Sequence, residues 1–480
     1  MTGRSGEKTV PCPLRTAALA APDSPAVVGH YGEASFADLD RRATASARKL
    51  ESLGLSDGAK VGVRLPKSAG QIFLILAAMR AGSVFVPIST RIPPEGIPPL
   101  LETAGCSAFV SAADVALRAA EGSRARPFRP EELLGDVCEP SSEGIQIPLD
   151  RPATIVFTSG STGSPKAALH TFGNHFFSAL GSNANIRLVP GDVWLHSLPL
   201  SHVGGLSILF RCLTAGATMA FSNPNSSVGR AIPEAGATHV SLVATQLRRL
   251  FDEDAPFDGV KAILLGGSAM PGSLLEEAHR RGLPVHTSYG LTEMSSQATT
   301  TRPGASLEEL RTSGGPLPYR EASVADGDGE ILVRGETLFS GYVEGDGLSR
   351  PFDEDGWFHT KDLGRIDGEG RLTVLGRKDN LFISGGENIQ PEAVEEEIRR
   401  AANVEDAVVV PISDDEFGYR PVAFVKGDVS PEKLRASLEA ALPRFAVPVA
   451  FHAWPDDAPA EMKVDRGFFR ERAEVLHRER

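Results

Sequence analysis

Cysteine is scarce in this sequence. The chain of 480 residues has four cysteines, and no two of them form a CxxC pair. Such sparse and scattered cysteines exclude a zinc site built from cysteine pairs and a dense disulfide framework. They are typical of proteins kept in a reducing compartment, so we expect a cytoplasmic location.

The sequence also lacks an excess of positive charge and an uninterrupted hydrophobic run. Its formal net charge is −13, so nucleic acid and anionic membrane surfaces are not expected as partners. The most apolar stretch, residues 72–88, contains Arg80 and Gly82 and is interpreted as a helix, a turn and a strand. We therefore expect no membrane insertion. Near the N-terminus, Pro22 and Pro25 interrupt an Ala-rich patch before a targeting signal develops.

Short apolar segments rich in Val and Ile alternate with helical patterns over most of the chain. Those interpreted as strands buried on both faces include ATIVFTS, VSLVAT and VKAILLGG. This alternation predicts an α/β fold, with a large N-terminal domain of mixed sheets covered by helices. Over about residues 317–376, short alternating strands punctuated by Gly and Asp-Gly predict a small antiparallel, β-barrel-like subdomain.

The last hundred residues have a β-α-β texture of their own. Pro391 opens one helical pattern, and a second begins with Ser430 as its N-cap, each next to Val-rich strands. A unit of this size is large enough for a small domain. The sequence therefore predicts an N-terminal domain over 1–378 and a mobile α+β C-terminal domain over 379–480.

A loop rich in glycine and hydroxyl groups follows the apolar residues 155–157. Its sequence is TSGSTGSPK, and its backbone N–H groups, hydroxyls and single lysine suit a polyphosphate. The spacing G-x-x-G-x-x-K is not that of a Walker A loop, and Pro165 disfavours a helix directly after it. Taken alone, such a segment is more often a plain flexible turn.

The loop does not stand alone, because further motifs follow it in a fixed order. They are SLPLSHVGG, LLGGSAMP, SYGLTE, HTKDLG, GRKDNLFISGGENIQP and APAEMKVDR. Together they resemble the adenylate-forming superfamily of acyl-CoA synthetases, luciferases and peptide-synthetase adenylation domains, over nearly the whole chain. The resemblance implies an AMP-forming acid-thiol ligase, which transfers AMP from ATP to a carboxylic acid and then passes the acyl group to coenzyme A.

The resemblance also assigns residues to ATP. Those expected to bind the nucleotide and its phosphates are Thr158, Ser159, Gly160, Ser161, Thr162, Gly163, Lys166, Gly267, Ser268, Ala269, Ser288, Tyr289, Gly290, Asp362 and Arg377. Glu293 is expected to hold Mg²⁺, which prefers hard oxygen ligands. Singly, Glu293 and Asp362 would be ordinary solvated acids. Their place within an ordered series of motifs favours the functional interpretation.

Three residues are assigned to catalysis on the same grounds. Lys463 is expected to neutralise charge that grows in the transition state, and Thr292 to donate to the α-phosphate. His202 is expected to line the acyl pocket and gate it; its alternative is a satisfied histidine at a strand end. Asp379 is the expected hinge between two half-reactions. Met462 stands directly before the lysine, where the superfamily usually has glycine.

Two segments point to a kind of acid. LPLSHVGGLSILFRCLTAGA and SYGLTEMSSQ most resemble the o-succinylbenzoate-CoA ligases of menaquinone biosynthesis, which act on an aromatic dicarboxylate. The second carboxylate of such an acid needs a partner, and a guanidinium can grip it with two hydrogen bonds. Arg211 is the candidate, and its alternative is a surface arginine closing a helix. The residues expected to bind the acid are His202, Arg211, Ser295, Ser296 and Gln297.

Three alternatives stay open. A ligase for a fatty, cinnamic or benzoic acid would keep the nucleotide motifs and differ only in its pocket. A carrier-loading adenylation enzyme would deliver the acyl group to a pantetheinyl protein. A non-catalytic nucleotide-binding protein belongs to another class, and retention of both Glu293 and Lys463 argues against it. The expected partners are a small-molecule carboxylic acid, ATP, Mg²⁺ and coenzyme A, and a homo-oligomer is left open.

Overall fold

Two large β-sheets organise the chain in the computed structural model, which describes residues 8–30, 32–135, 144–158, 165–267, 270–345, 347–414, 416–459 and 464–478. In spatial order, the described strands of the first sheet are Gly347–Ser349, Gly341–Glu344, Lys166–Thr171, Pro152–Thr158, Val84–Pro87, Lys60–Arg64, Ala108–Ser111 and Arg126–Phe128. Those of the second sheet are Gly315–Pro316, Ser296–Thr300, Val285–Leu291, Ala262–Leu265, His239–Leu242, Val193–Leu195, Thr218–Phe221, Pro25–Gly29 and Ala34–Ser35. Both sheets are mixed, because interior parallel pairs join antiparallel pairs toward an edge.

Interior strands of both sheets are buried along their whole length. Every residue of Val84–Pro87, His239–Leu242 and Ala262–Leu265 is buried. Parallel strands that helices cover on both faces have such continuous apolar runs. The prediction of doubly buried strands is confirmed for His239–Leu242 and Ala262–Leu265.

Helices cover the sheets and also lie between them. The α-helices are Pro13–Ala20, Phe36–Ser52, Ala69–Ala81, Ile97–Ala104, Asp114–Ala120, Pro130–Leu133, Phe172–Asn185, Val203–Ala215, Val228–Glu234, Ala244–Asp252, Gly272–Arg280, Leu307–Leu310, Pro391–Arg399, Pro431–Ala441 and Arg466–Arg478, with 3-10 turns at Pro94–Gly96, Thr292–Met294 and Lys378–Asn380. The largest apolar cluster joins six of these helices to strands of both sheets. Of the helices in the described ranges, none is long and apolar enough to cross a membrane.

Local signals fix where the apolar helix Ala69–Ala81 begins and ends. The hydroxyl of Ser68 accepts a hydrogen bond from the backbone N–H of Gln71, as N-cap residues do. Gly82 ends the helix in the left-handed region, at φ 75°, which a side chain would strain. The strand Val84–Pro87 follows at once, so the predicted helix, turn and strand are confirmed.

A four-stranded antiparallel sheet forms the half-barrel beside the two large sheets. Its described strands are Arg320–Val324, Glu330–Gly335, Phe358–Ile366 and Leu372–Arg377. Two strands from the same stretch of chain pair elsewhere: Gly341–Glu344 adds to Lys166–Thr171 in the first large sheet, followed by Gly347–Ser349. This excursion brings Tyr342 next to the hairpin that carries the phosphate-type loop.

The C-terminal region is α+β and has apolar clusters of its own. Its described strands are Glu387–Ile389, Phe382–Ser384, Gly418–Gly427, Val404–Asp414 and Ala450–Ala453. Pro391 and Pro431 open its first two helices, with Ser430 as the N-cap of the second, as predicted. The predicted fold class is confirmed: a large N-terminal domain of mixed sheets with a half-barrel, and a small C-terminal domain. The boundary at Asp379 stays a prediction.

A short two-stranded sheet, Thr9–Pro11 with Gln146–Pro148, completes the strands in the described ranges.

Candidate active site

The phosphate-type loop connects two antiparallel strands inside the first large sheet. Pro152–Thr158 and Lys166–Thr171 are antiparallel, and Thr158 lies opposite Lys166. The predicted phosphate-binding residues between them, Ser159, Gly160, Ser161, Thr162 and Gly163, lie outside the described residues. The Nζ atom of Lys166 is 5.0 Å from the centroid of the Tyr342 ring, within the range of a cation–π contact.

Tyr342 connects this lysine to the predicted metal ligand. Its hydroxyl donates to Oε1 of Glu293 over 2.6 Å. Burial, and then the neighbouring carboxylate, raise the pKa of Tyr342, so the phenol keeps its proton and remains the donor. The bond orients Glu293, whose carboxylate oxygens are the ligand type that Mg²⁺ prefers. Across the described part of the chain, no group of three or more His, Cys, Asp or Glu side chains is arranged so that it could hold a metal ion. A magnesium site that uses a carboxylate together with substrate phosphates needs no such cluster.

Glu293 and Thr292 share a 3-10 turn, Thr292–Met294, that a buried histidine holds. The Nε2 atom of His170 lies 2.7 Å from the carbonyl oxygen of Thr292. Burial lowers the pKa of His170 to about 4, so its ring is neutral at physiological pH. A carbonyl oxygen only accepts, so the tautomer that makes this bond carries its proton on Nε2.

At the other end of the nucleotide motifs, Asp362 receives two hydrogen bonds. Tyr289 donates its hydroxyl to Oδ2 over 2.6 Å, and Arg377 donates from Nη1 to Oδ1 over 3.0 Å. Asp362 and Arg377 face each other across two antiparallel strands of the half-barrel. Burial, and then Asp362, raise the pKa of Tyr289 well above its ordinary value, which keeps it a donor. A carboxylate has about four acceptor positions, so it can also accept from ribose hydroxyls.

Asp379, the predicted hinge, lies next to the arginine that binds Asp362. An oxygen of Asp379 lies 3.5 Å from Nη2 of Arg377, and the other lies 3.6 Å from Nζ of Lys361. A change in backbone direction at Asp379 would therefore also disturb the arginine beside the predicted ribose site.

Three other predicted nucleotide residues serve the backbone in this structure. Gly267 adopts φ 86° just after the strand Ala262–Leu265, and the Ser288 hydroxyl donates to the Leu265 carbonyl over 2.8 Å. A Cβ at Gly290 would collide with the carbonyl oxygen of Ser296, so only glycine fits there. Ser268 and Ala269 lie outside the described residues.

The acyl end of the site is built around Arg211. This residue lies on the helix Val203–Ala215, for which His202 is the N-cap, and it is 1% exposed. The alternative of a surface arginine is therefore wrong. Its Nη2 donates to Oγ of Ser296 over 3.0 Å and to Oε1 of Gln297 over 2.8 Å, and its Cζ lies 5.0 Å from the centroid of the Trp194 ring.

Among the residues that the structure describes, Arg211 has neutral partners only. Within the ranges that the structure describes, no carboxylate lies within 4.0 Å of its guanidinium, and its buried Nε has no hydrogen-bond partner. Burial lowers the pKa of Arg211 to about 10, which leaves the group charged at neutral pH. A buried cation with an open donor position favours an anionic ligand.

Three further predicted residues are Ser295, His202 and Lys463. Ser295 adopts φ 59° and turns its hydroxyl away, donating to the Thr337 carbonyl over 3.0 Å. His202 is exposed at the start of its helix. The predicted catalytic Lys463 lies outside the described residues.

The sequence motifs did not point to several residues that the structure brings to the site. They are His170, Trp194, Arg320 and Tyr342. None has a role assigned by the quoted motifs, and three of them contact predicted site residues far away in the chain. Only their unusual burial for polar side chains sets them apart, and burial is not visible in a single sequence.

The site combines a loop suited to phosphates, an oriented carboxylate and a buried cation. The fold carries them on two mixed sheets, with a half-barrel and a small α+β domain. Together these features are those of an ATP-using, adenylate-forming enzyme. The chain belongs to the AMP-binding enzyme family, whose profile matches residues 14–343. The predicted resemblance to the adenylate-forming superfamily is thereby confirmed.

Individual relatives are similar over almost the full chain. The 2-succinylbenzoate–CoA ligase of Bacillus licheniformis is 34% identical over 452 residues, which cover 92% of this chain and 95% of the relative. The o-succinylbenzoate CoA synthetase of Bacillus subtilis, solved with the acyl-adenylate intermediate OSB-AMP, has a TM-score of 0.87 and 30% identity, covering 96% of this chain and 98% of that chain. The same enzyme solved with ATP and a magnesium ion has a TM-score of 0.86 and 31% identity, covering 96% and 99%.

Proposed function

We propose that this protein is a 2-succinylbenzoate–CoA ligase of menaquinone biosynthesis, using ATP, Mg²⁺ and coenzyme A. One observation carries the choice of acid: Arg211 is a buried guanidinium with neutral partners only among the described residues. The similarity to 2-succinylbenzoate–CoA ligases over most of the chain supports the same substrate. The name 2-succinylbenzoate denotes the same acid as o-succinylbenzoate.

The reaction has two steps, because a carboxylate is a poor target for a thiol. In the first step, an oxygen of the succinyl carboxylate attacks the α-phosphorus of ATP, and the bond to pyrophosphate breaks. The product is an acyl-adenylate. In the second step, the thiolate of coenzyme A attacks the acyl carbon, the thioester bond forms and AMP leaves.

At the nucleotide end, each residue is given a task that fits its chemistry. Lys166 and the loop before it bind the terminal phosphates, and Thr292 donates to the α-phosphate. Glu293 holds Mg²⁺, which when bound neutralises phosphate charge. His170 fixes the turn that carries both Thr292 and Glu293. Lys463 is the proposed catalytic cation, positioned between carboxylate and α-phosphate.

At the acyl end, Arg211 binds the ring carboxylate that does not react. Ser296 and Gln297 accept hydrogen bonds from Nη2 of its guanidinium, whereas its buried Nε has no hydrogen-bond partner among the described residues. The ring carboxylate would supply the missing acceptor. An acid without the second carboxylate leaves this buried cation unpaired. Sites of this kind reject the analogue that lacks the expected group more strongly than a hydrophobic pocket rejects a wrong shape.

The domain organisation is also part of the proposal. The N-terminal domain is 1–378, with an antiparallel subdomain over about 317–376, and the C-terminal domain is 379–480. Rotation about Asp379 exchanges the face that serves adenylation for the face that serves thioester formation. We also propose a cytoplasmic location, with a homo-oligomer as an open option.

The test is formation of coenzyme A thioester from ATP with 2-succinylbenzoate, benzoate, a cinnamate and octanoate, for the wild type and Lys463→Ala. We expect turnover of 2-succinylbenzoate alone, abolished in the variant. Turnover of another acid alone would reject the proposed substrate and keep the chemistry. If no thioester forms, acid-dependent exchange of pyrophosphate into ATP separates a carrier-loading enzyme, which exchanges, from a non-catalytic nucleotide-binding protein, which does not.

A further inference from the structure

A second buried arginine lies behind the acyl end of the site. Arg320 begins the first strand of the half-barrel and is 6% exposed. Its Nε donates to the Pro318 carbonyl over 3.1 Å, and its Nη2 donates to the carbonyls of Phe177 and Ser178 over 3.4 and 3.3 Å. Its Nη1 donates to the backbone carbonyl of Gln297. The guanidinium thus joins a helix, a strand of the second sheet and the half-barrel.

The surroundings are shaped for this guanidinium. A Cβ at Gly181 would collide with Nη2 of Arg320, so the helix Phe172–Asn185 has glycine at the point of contact. Every partner is a neutral carbonyl, and in the described parts of the chain no carboxylate lies within 4.0 Å of the group. Burying a full charge among neutral groups is costly, so a purely mechanical clamp would be better served by a neutral donor.

Arg320 and Arg211 hold the same residue from two sides. Arg211 binds the side-chain oxygen of Gln297, and Arg320 binds its backbone oxygen. Burial, and then the positive charge of Arg211, lower the pKa of Arg320 to about 9, so the two cations act on each other. The acyl end therefore holds two buried positive charges with neutral partners only among the described residues.

We propose that Arg320 is a positioning residue that makes the acyl pocket selective for acids with two carboxylates. It fixes Gln297, which keeps the Arg211 guanidinium in place, and it adds a second positive charge behind that guanidinium. The second carboxylate of a dicarboxylic acid is attracted by both positive charges. An acid with one carboxylate has no group that can respond to them, because its single carboxylate lies at the reacting end. This inference rests on the proposed function, since it assumes that the acid carries a second carboxylate.

The test compares two acids that differ only in the ring carboxylate, 2-succinylbenzoate and 3-benzoylpropionate. The readout is the ratio of their kcat/KM values, with the KM for ATP measured alongside. In Arg320→Gln we expect this ratio to fall about tenfold while the KM for ATP is unchanged. Arg334→Gln is the matched control, because Arg334 lies on the adjacent strand, has a side chain that is 36% exposed, and pairs with the carboxylate of Glu321. The ratio should not change in the control.

Arg320→Lys is the second variant, in case the glutamine variant does not fold. The lysine keeps the positive charge at neutral pH, and raising the pH removes that charge, because a lysine buried at this place loses its proton more easily than an arginine. We expect the ratio in Arg320→Lys to fall as the pH rises from 7 to 9, while the wild-type ratio falls less.

Two results would overturn the inference. Equal loss of kcat/KM for both acids in Arg320→Gln would make Arg320 a structural clamp only. A ratio in Arg320→Lys that follows the wild type across pH would do the same. If the wild type fails to use 2-succinylbenzoate, the proposed function fails as well; if the wild type prefers it and the ratio ignores Arg320, only this inference fails.

Discussion

The two ends of the proposed site treat charge differently. At the nucleotide end, opposite charges are already paired, since Asp362 accepts from Arg377 and the two side chains are 14% and 45% exposed. At the acyl end, Arg211 and Arg320 are 1% and 6% exposed and bind only neutral groups among the described residues. One end therefore has its charges balanced and partly solvated, and the other has buried charge without a counterion.

The difference matches what each ligand brings. A nucleotide arrives with several negative charges and with Mg²⁺, so a site with acids and cations of both signs can bind the pair. An organic acid arrives alone, and its second carboxylate supplies the counterion that the acyl end does not have. The balanced charges at the nucleotide end thus serve adenylation, a reaction common to many acids. The unbalanced positive charge at the acyl end makes the enzyme selective for one acid.

The largest expected effect is at the nucleotide end. Glu293→Gln keeps the size of the side chain and removes the charge that would hold Mg²⁺, so we expect pyrophosphate exchange to fall about a thousandfold at fixed Mg²⁺. Tyr342→Phe is the matched control, because it removes only the hydroxyl that orients Glu293. It should cost about threefold to tenfold and be largely restored by more Mg²⁺. Similar losses in both variants would contradict the role of Glu293.

A smaller effect is expected at the acyl end. Arg211→Met preserves much of the volume and removes the buried charge, so kcat/KM for 2-succinylbenzoate should fall about a hundredfold. The KM for ATP should stay within about twofold, because the two ends bind separate ligands. The measurement is steady-state thioester formation with each substrate varied. A parallel loss of ATP binding would show that the two ends are not independent.

Local pairings of the site were accessible from the sequence. Asp362 and Arg377 belong to two strands joined by a short connection, and alternating residues with Asp-Gly turns predict that such strands pair. The interior strands and the helix Ala69–Ala81 were also predicted, because continuous apolar runs and capping residues are local signals.

The pairings that depend on tertiary structure were not accessible. Tyr342 reaches Glu293 because Gly341–Glu344 leaves the half-barrel stretch and adds to the first large sheet, and its alternating pattern is the same in either place. Arg211 is on a helix buried on nearly all sides, whereas arginine is usually exposed. Ser295 is adjacent to Ser296 in sequence, but its left-handed backbone turns its hydroxyl to Thr337.

The smallest expected effect is on stability and again separates the two ends. His170 supports the nucleotide end with a neutral ring, and its pKa falls from 6.5 in the unfolded chain to about 4 in the folded protein. The unfolded chain therefore takes up a proton first on acidification. The stabilising contribution is fully present above about pH 6.5 and is lost as the pH falls toward 4.

At pH 5 this single group should have lowered the free energy of unfolding by about 2 kcal/mol relative to pH 7.5. His170→Gln keeps an N–H donor for the Thr292 carbonyl and does not titrate. Between pH 7.5 and pH 5, the free energy of unfolding of this variant should therefore fall by about 2 kcal/mol less than that of the wild type, as measured by urea-induced unfolding. His279→Gln, at an exposed histidine, is the control and should behave as the wild type. If His170→Gln loses as much stability as the wild type, the ring is protonated in the folded protein, and the nucleotide end depends on charge as the acyl end does.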